Sequence, residues 1–145
     1  MKLPVQRPTI LLIEDNSADV VLLRIGLDEV GEPYDLKVLE DGEAAMRFVN
    51  EHRNGIRPPH PCVIVMDLHL PRYNGVEILH AIRKAPALAH IHVVVLTSMA
   101  SPSEEEELKA LGGTCLRKPS DLDLYFELAE EVMELCKNAA TAQVA

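Results

Sequence analysis

Short runs of branched apolar residues alternate along the chain with segments of helical periodicity. The runs at 9–13, 62–66 and 92–96 carry almost no polar side chain, which is typical of strands buried on both faces of a parallel sheet. Weaker patterns at 34–39 and 114–116 predict two further strands. After each run, apolar residues recur every three or four positions, as in a helix with one buried face. The pattern therefore predicts five strand–helix units in succession.

Five such units predict an α/β protein, a doubly wound (βα)5 three-layer sandwich. Right-handed crossovers favour a flavodoxin-like parallel sheet with strand order 2-1-3-4-5. A chain of 145 residues fits one domain, so we expect residues 1–145 to form a single domain without a separate output domain. We expect its ordered core to span about 9–138, with the last helix ending near Asn138 and the tail beyond it disordered.

Composition narrows the classes of partner. The formal net charge of -9 predicts repulsion from phosphate backbones and anionic membranes, so we expect no direct DNA binding and no membrane association. No apolar stretch approaches the roughly 20 residues of a membrane-spanning helix. Cys62, Cys115 and Cys136 are odd in number and lie in apolar segments, which predicts free thiols in the core of a cytoplasmic protein.

Polar residues follow the carboxyl ends of four predicted strands. Glu14 and Asp15 follow the first strand, Asp67 ends the third, Thr97 ends the fourth and Lys118 follows the fifth. Open α/β sheets bind their ligands at the carboxyl ends of the strands, near the point where the strand order reverses. We therefore expect these five side chains to lie around one hollow.

Three carboxylates in one hollow repel one another unless a proton or a cation joins them. A ligand set made only of oxygens suits Mg²⁺, which leaves a coordination position open for a phosphoryl oxygen. With the charge neutralised, Asp67 can act as a nucleophile toward phosphorus, Lys118 can balance the transferred charge, and Thr97 can donate a hydrogen bond. Each residue alone also has an ordinary structural interpretation, as a helix cap, a turn residue or a surface charge.

The complete set resembles the motifs of bacterial two-component response-regulator receiver domains. The matching elements are Glu14-Asp15, Asp67 within VIVMDLHLPRYNG, Thr97 after VVVL, and Lys118-Pro119. The resemblance implies that Asp67 accepts a phosphoryl group from a sensor histidine kinase. It also implies that Glu14, Asp15, Asp67 and the backbone carbonyl of His69 hold Mg²⁺, whereas Thr97 and Lys118 contact the phosphoryl group.

The resemblance extends to a subfamily and to partners. The chain is similar to stand-alone regulators, and its predicted loop at 52–61 resembles that of regulators paired with phytochrome-type kinases. Such regulators form homodimers through the fourth helix, fifth strand and fifth helix. The wide apolar arc predicted for the last helix would suit that interface. The implied role is that of a signalling phosphoacceptor that assists its own phosphorylation and dephosphorylation, not that of an enzyme.

One departure and two alternatives stay open at this point. The family usually places an aromatic residue three positions before the lysine, where this chain has Cys115, so the usual coupling between threonine and aromatic is in doubt. A degenerate receiver would act as a phosphorylation-independent binding module. An aspartyl-nucleophile phosphatase would need a second Asp two residues after the nucleophile, and that position is His69.

Overall fold

The computed structural model describes residues 7–55, 57 and 60–144, the side chains of 140–144 excepted. Within these residues, five strands and five helices alternate along the chain. Their bounds are β1 (Thr9–Ile13), α1 (Ser17–Val30), β2 (Asp35–Leu39), α2 (Gly42–Glu51), β3 (Pro61–Asp67), α3 (Gly75–Lys84), β4 (His92–Thr97), α4 (Pro102–Ala110), β5 (Thr114–Arg117) and α5 (Leu122–Val144). The predicted strand positions are confirmed, with ends shifted by a residue or two.

The strands form one parallel sheet in the order β2-β1-β3-β4-β5, as predicted. Ile13 of β1 lies opposite Met66 of β3, so both strands end at the same edge of the sheet. Asp67 lies opposite Leu96, and Thr97 lies opposite Arg117. The residues that follow β1, β3, β4 and β5 are therefore brought to one rim.

Alternate residues of each central strand face opposite sides of the sheet and form two cores. One core packs against α2, α3 and α4, and its members include Leu11, Ile64, Val93, Leu79 and Leu108. The other packs against α1 and α5, and its members include Ile10, Val63, Val94, Leu27 and Val132. Because both faces are covered, the central strands contain few polar side chains except at their ends.

Local sequence signals fix several helix boundaries. Asn16 caps α1 by accepting a hydrogen bond from the backbone of Ala18, and Gly31 ends that helix in the left-handed region at φ 81°. Asn74 and Ser101 cap α3 and α4, each within a capping box. The first turns of three helices are thereby anchored beside the strand ends.

Two expectations about the chain were wrong. Helix α5 does not end near residue 138 but continues to Val144, because the segment after 138 is rich in alanine and has neither glycine nor proline to end the helix. Cys62 and Cys136 are joined by a disulfide, and Cys115 is exposed, so the cysteines are not a set of free core thiols. The start of β3 and the middle of α5 pack together across 74 residues of sequence, with the two Cα atoms 5.1 Å apart.

No described helix combines the length and apolarity needed to cross a bilayer.

Candidate functional site

Three carboxylates lie at the rim where β1 and β3 end. The Asp67 side chain is 11% exposed and that of Glu14 is 2% exposed, whereas Asp15 is exposed. One oxygen from each of the three lies within 4.8 Å of one oxygen from each of the others. Hard divalent cations prefer such a set of oxygen ligands, so these residues fit Mg²⁺.

Lys118 extends from the end of β5 into the same hollow. Its Nζ atom lies 2.9 Å from Asp67 Oδ2 and 3.2 Å from Glu14 Oε1. The backbone N–H of Lys118 donates to the Thr97 carbonyl oxygen at 2.9 Å, which continues the pairing of β4 with β5 up to the site. The sheet therefore delivers the lysine and the central aspartate to hydrogen-bonding distance from sequence positions 51 residues apart.

Thr97 ends β4 and is buried next to this rim. Its Oγ1 atom accepts a hydrogen bond from the backbone N–H of Met99 at 3.0 Å. In the neighbouring strand pair, the Leu68 N–H donates to the Leu96 carbonyl at 2.9 Å, so the chain after Asp67 runs alongside the end of β4. Since the Thr97 hydroxyl acts as an acceptor toward Met99, its hydrogen stays available for a further acceptor.

His69 lies in the loop after β3, and its side chain lies near Glu104 of α4. Its backbone N–H donates to Asp67 Oδ1 at 3.3 Å, while its Nε2 lies 3.7 Å from Glu104 Oε2. Glu104 also accepts from the Asn74 side-chain amide at 3.2 Å and from the Ser101 backbone at 2.9 Å. These hydrogen bonds lower the pKa of Glu104, the one from the Ser101 backbone most strongly. Within the glutamate run of α4, residues 104–107, Glu104 therefore has specific partners on the loop after β3 and at the start of α3.

Sequence reasoning missed Asp19, a residue in the first turn of α1. Asp19 Oδ2 lies 2.9 Å from Lys118 Nζ, and Asp19 Oδ1 accepts a hydrogen bond from the Tyr125 hydroxyl at 3.1 Å. The available signal was position, because Asp19 lies in the first turn of the helix that directly follows Glu14 and Asp15. Nothing in the sequence indicated that Tyr125, over a hundred residues later, would meet it.

At this rim the carboxyl groups of Glu14, Asp15 and Asp67 outnumber the single ammonium group of Lys118. Burial raises the pKa of Glu14 from 4.5 to about 7, and the negative charge of Asp67 adds to the shift, while Lys118 opposes it. Burial alone would lower the pKa of Lys118, but its hydrogen bonds to Asp67 and Asp19 outweigh burial and raise it. The ammonium thus stays charged near neutral pH, whereas Glu14 readily takes up a proton. A bound divalent cation would replace that proton.

A doubly wound sheet with three carboxylates and a lysine at one rim is the arrangement of a two-component receiver. The family model described as response regulator receiver domain matches residues 10–130. The chain belongs to this family, and its role in two-component signalling as a receiver-domain response regulator follows.

Individual relatives agree with this assignment. Response regulator Rcp1 of Synechocystis sp. is 34% identical over 124 residues, which cover 85% of this chain and 84% of Rcp1. The structure of the phosphorylated cyanobacterial phytochrome response regulator RcpA matches with a TM-score of 0.77 at 28% identity, covering 89% of this chain and 93% of RcpA. The Mn²⁺-bound form of Rcp1 matches with a TM-score of 0.72 at 34% identity, covering 86% of this chain and 91% of that one. The predicted fold and family are confirmed.

Proposed function

We propose that this protein accepts a phosphoryl group on Asp67 from a sensor histidine kinase and thereby switches its binding to other proteins. The observation that carries the proposal is the position of the Asp67 carboxylate, 2.9 Å from the Lys118 ammonium and within 4.8 Å of oxygens of Glu14 and Asp15. A nucleophile, a balancing cation and a set of metal-binding oxygens thus share one partly accessible hollow.

Mg²⁺ would be held by Glu14, Asp15, Asp67 and the backbone carbonyl of His69. All these donors are oxygens, as Mg²⁺ prefers, and the relative Rcp1 has a Mn²⁺-bound form. When bound, the ion would supply positive charge to the carboxylates and to the incoming phosphoryl oxygens. Glu14, with its pKa raised to about 7, would give up its proton on binding.

The chain's own groups provide the remaining chemistry. An oxygen of Asp67 attacks phosphorus, the bond from phosphorus to the donor histidine nitrogen breaks, and its electron pair stays on that imidazole. Lys118 donates to the transferred phosphoryl group, as does the Thr97 hydroxyl, whose hydrogen is not used in its contact with Met99. The product is an aspartyl phosphate, and the protein is a phosphoacceptor that assists its own phosphorylation and dephosphorylation, not a turnover enzyme.

We propose that the readout is a change in protein partners. The partner kinase is a histidine kinase, and the likeness to the phytochrome response regulator RcpA supports a phytochrome-type kinase. A homodimer through α4, β5 and α5 is supported by Leu122 and Leu124, which remain about 40% exposed on α5.

The net charge of -9 supports the absence of DNA and membrane binding. Because kinases make their phosphohistidine from ATP, we place this single receiver domain in the cytoplasm.

The direct test is chemical phosphorylation. Incubation of the purified protein with Mg²⁺ and acetyl phosphate, followed by intact-mass measurement, should show the addition of one phosphoryl group. Asp67→Asn should abolish it, and Asp123→Asn, a change of an exposed acid on α5, should not. A wild-type chain that binds Mg²⁺ but gains no mass would instead indicate a phosphorylation-independent binding module. Continuous hydrolysis of an added phosphomonoester would indicate a phosphatase.

A further inference from the structure

Lys118 is shared between the proposed phosphorylation site and a residue outside it. Glu14 and Asp67, which contact its Nζ atom, belong to the proposed metal-binding set. The third contact, Asp19, lies on α1 and has no place in that set. An ammonium group has three hydrogens, and here they face carboxylates of three different residues. Of these three partners of Lys118, Asp19 is thus the one that neither bonds to phosphorus nor belongs to the proposed metal-binding set.

We propose that Asp19, oriented by the hydroxyl of Tyr125, is a positioning residue that holds the Lys118 ammonium at the phosphorylation site. The inference rests on the proposed role of Asp67 as phosphoacceptor and specifies how the lysine is kept in place. Asp19 and Tyr125 touch neither the donor nor the phosphoryl group and act only through Lys118.

The geometry of Asp19 leaves it little freedom. One of its oxygens lies 2.9 Å from Lys118 Nζ, and the other accepts from the Tyr125 hydroxyl at 3.1 Å. Tyr125 is only 2% exposed, and it packs in the core between α1 and α5. Because each carboxylate oxygen has its own partner and one partner is fixed by packing, the orientation of the carboxylate is set before any donor arrives.

Positioning is needed because a lysine side chain is long and flexible. When Asp67 becomes bonded to phosphorus, Lys118 loses one of its carboxylate partners and must turn a hydrogen toward a phosphoryl oxygen. Glu14 is then engaged with the metal in the proposed site. Asp19 forms no bond to phosphorus and lies outside the proposed metal-binding set, so it can hold the ammonium while the other hydrogens change acceptor.

A purely structural role is the competing explanation, since Asp19 and Tyr125 also join α1 to α5. The two explanations differ in what happens when Lys118 is absent. A positioning residue has no effect on phosphorylation without the lysine, whereas a residue that only stabilises the fold has the same effect with or without it.

The test measures the rate of phosphorylation by acetyl phosphate at saturating Mg²⁺. Asp19→Asn preserves size and should slow the reaction roughly tenfold, as expected for the loss of one positioning contact. Tyr125→Phe should slow it by about threefold, and the double variant should be no slower than Asp19→Asn, because Tyr125 acts through Asp19. Glu29→Gln, which changes an exposed acid on the same helix, should match the wild type. In a Lys118→Gln background, Asp19→Asn should have no further effect.

Equal slowing by Asp19→Asn in both backgrounds, or no slowing in either, would overturn the inference. A second readout does not require phosphorylation. NMR of the metal-free protein can monitor the exchange of the Lys118 Nζ hydrogens with water. This exchange should be faster in Asp19→Asn than in the wild type. Unchanged exchange would also overturn it. If the wild type takes up no phosphoryl group, the proposed function fails, and the exchange measurement still judges whether Asp19 holds the lysine. Tyr125→Phe serves the same measurement if Asp19→Asn fails to fold.

Discussion

Helices α4 and α5 are neighbours in sequence, yet the protein holds them in different ways. Helix α5 buries a continuous apolar stripe in the core that it shares with α1, made of Tyr125, Leu128, Ala129, Val132, Met133 and Cys136. A disulfide adds a covalent link between α5 and the start of β3. Helix α4 buries one side chain, that of Leu108.

Polar contacts at its first turn make up for the small buried face of α4. Ser101 and Glu104 form a capping box, and Glu104 also accepts from Asn74, the residue that caps α3. A hydrogen bond contributes about 0.5–1.5 kcal/mol, whereas a fully buried large apolar side chain contributes about 1.5–3 kcal/mol. Helix α4 can therefore shift at a lower free-energy cost than α5, and its anchor lies beside the loop that follows Asp67. The lower cost of moving α4 indicates that α4, and not α5, is suited to move when the site around Asp67 changes.

The largest effect should come from emptying the α5 core. Leu128→Ala should lower the free energy of unfolding by about 3 kcal/mol, because Leu128 is only 6% exposed and the surrounding core cannot fully close the cavity. Leu124→Ala makes the same chemical change at a side chain that is 40% exposed, and should cost less than about 0.5 kcal/mol. Urea unfolding measures both. Equal losses would mean that α5 is not held by its apolar stripe.

Reduction of the disulfide should have the next largest effect. Cys62 and Cys136 are 74 residues apart, so the link restricts the unfolded chain strongly, and its loss should lower the free energy of unfolding by about 2–4 kcal/mol. The measurement compares urea unfolding of the wild type with and without a thiol reductant.

Cys115→Ser provides the control for this second test, because Cys115 is exposed and unpaired in the described structure. That variant should respond to the reductant as the wild type does. A reductant-insensitive wild type would show that α5 is fixed by packing alone, and the contrast with α4 would then be smaller.

The sequence predicted the fold well because the fold depends on strong, repeated signals. Branched runs at 9–13, 62–66 and 92–96 allow little besides buried parallel strands, and the alternation with helices then limits the topology. The extension of α5 was missed because alanine-rich ends carry no sharp boundary signal. The pairing of Cys62 with Cys136 was missed because it depends on the docking of α5 on β3, which no local pattern encodes.

The site divides in the same way. Glu14, Asp67, Thr97 and Lys118 were predicted because each ends or follows a strand, and the strand ends had to meet at one rim. Asp19 was missed because it lies on a helix, where its contact with Tyr125 depends on how α1 packs against α5. Sequence spacing therefore locates residues whose place is set by the sheet, but not residues whose place is set by helix packing.

The third test concerns Glu14 at the rim where β1 and β3 end. Glu14 has a folded-state pKa of about 7, above its ordinary 4.5, so between these values the folded protein binds more protons than the unfolded chain. Stability due to this group is therefore greatest below pH 4.5 and falls as pH rises toward about 7. Glu14→Gln keeps the shape without the charge, and should raise the free energy of unfolding by about 1–3 kcal/mol near pH 8 in the absence of divalent cations.

Urea unfolding as a function of pH measures this effect. The difference between Glu14→Gln and the wild type should shrink as pH falls through about 7 and vanish below about 4.5, where Glu14 is protonated in both states. A difference independent of pH would mean that packing, not charge, separates the two proteins. A stabilised rim would also show that the buried charge of Glu14 lowers the stability of the metal-free protein.

The smallest effect on global stability should come from the anchor of α4. Glu104 uses one oxygen for the Ser101 backbone and the other for the Asn74 amide, whereas a glutamine has one acceptor oxygen and can satisfy only one of them. Glu104→Gln should therefore change the free energy of unfolding by less than about 1 kcal/mol but speed amide hydrogen exchange in α4 about two- to fivefold. Hydrogen exchange in α5 should stay as in the wild type, since its apolar contacts are untouched.

Glu106→Gln is the matched control, because it removes the same charge from an exposed position on the same helix. If the two variants exchange alike, the charge of the glutamate run is what matters, and the link to Asn74 contributes nothing. If only Glu104→Gln loosens α4, a single carboxylate connects the loop after Asp67 to that helix, in a chain where Cys115 occupies the usual aromatic position. Amide exchange in α4 can then be measured again after phosphorylation, in the wild type and in Glu104→Gln. If phosphorylation acts on the Glu104–Asn74 contact, it should change exchange in α4 less in Glu104→Gln, because that variant has already lost part of the contact.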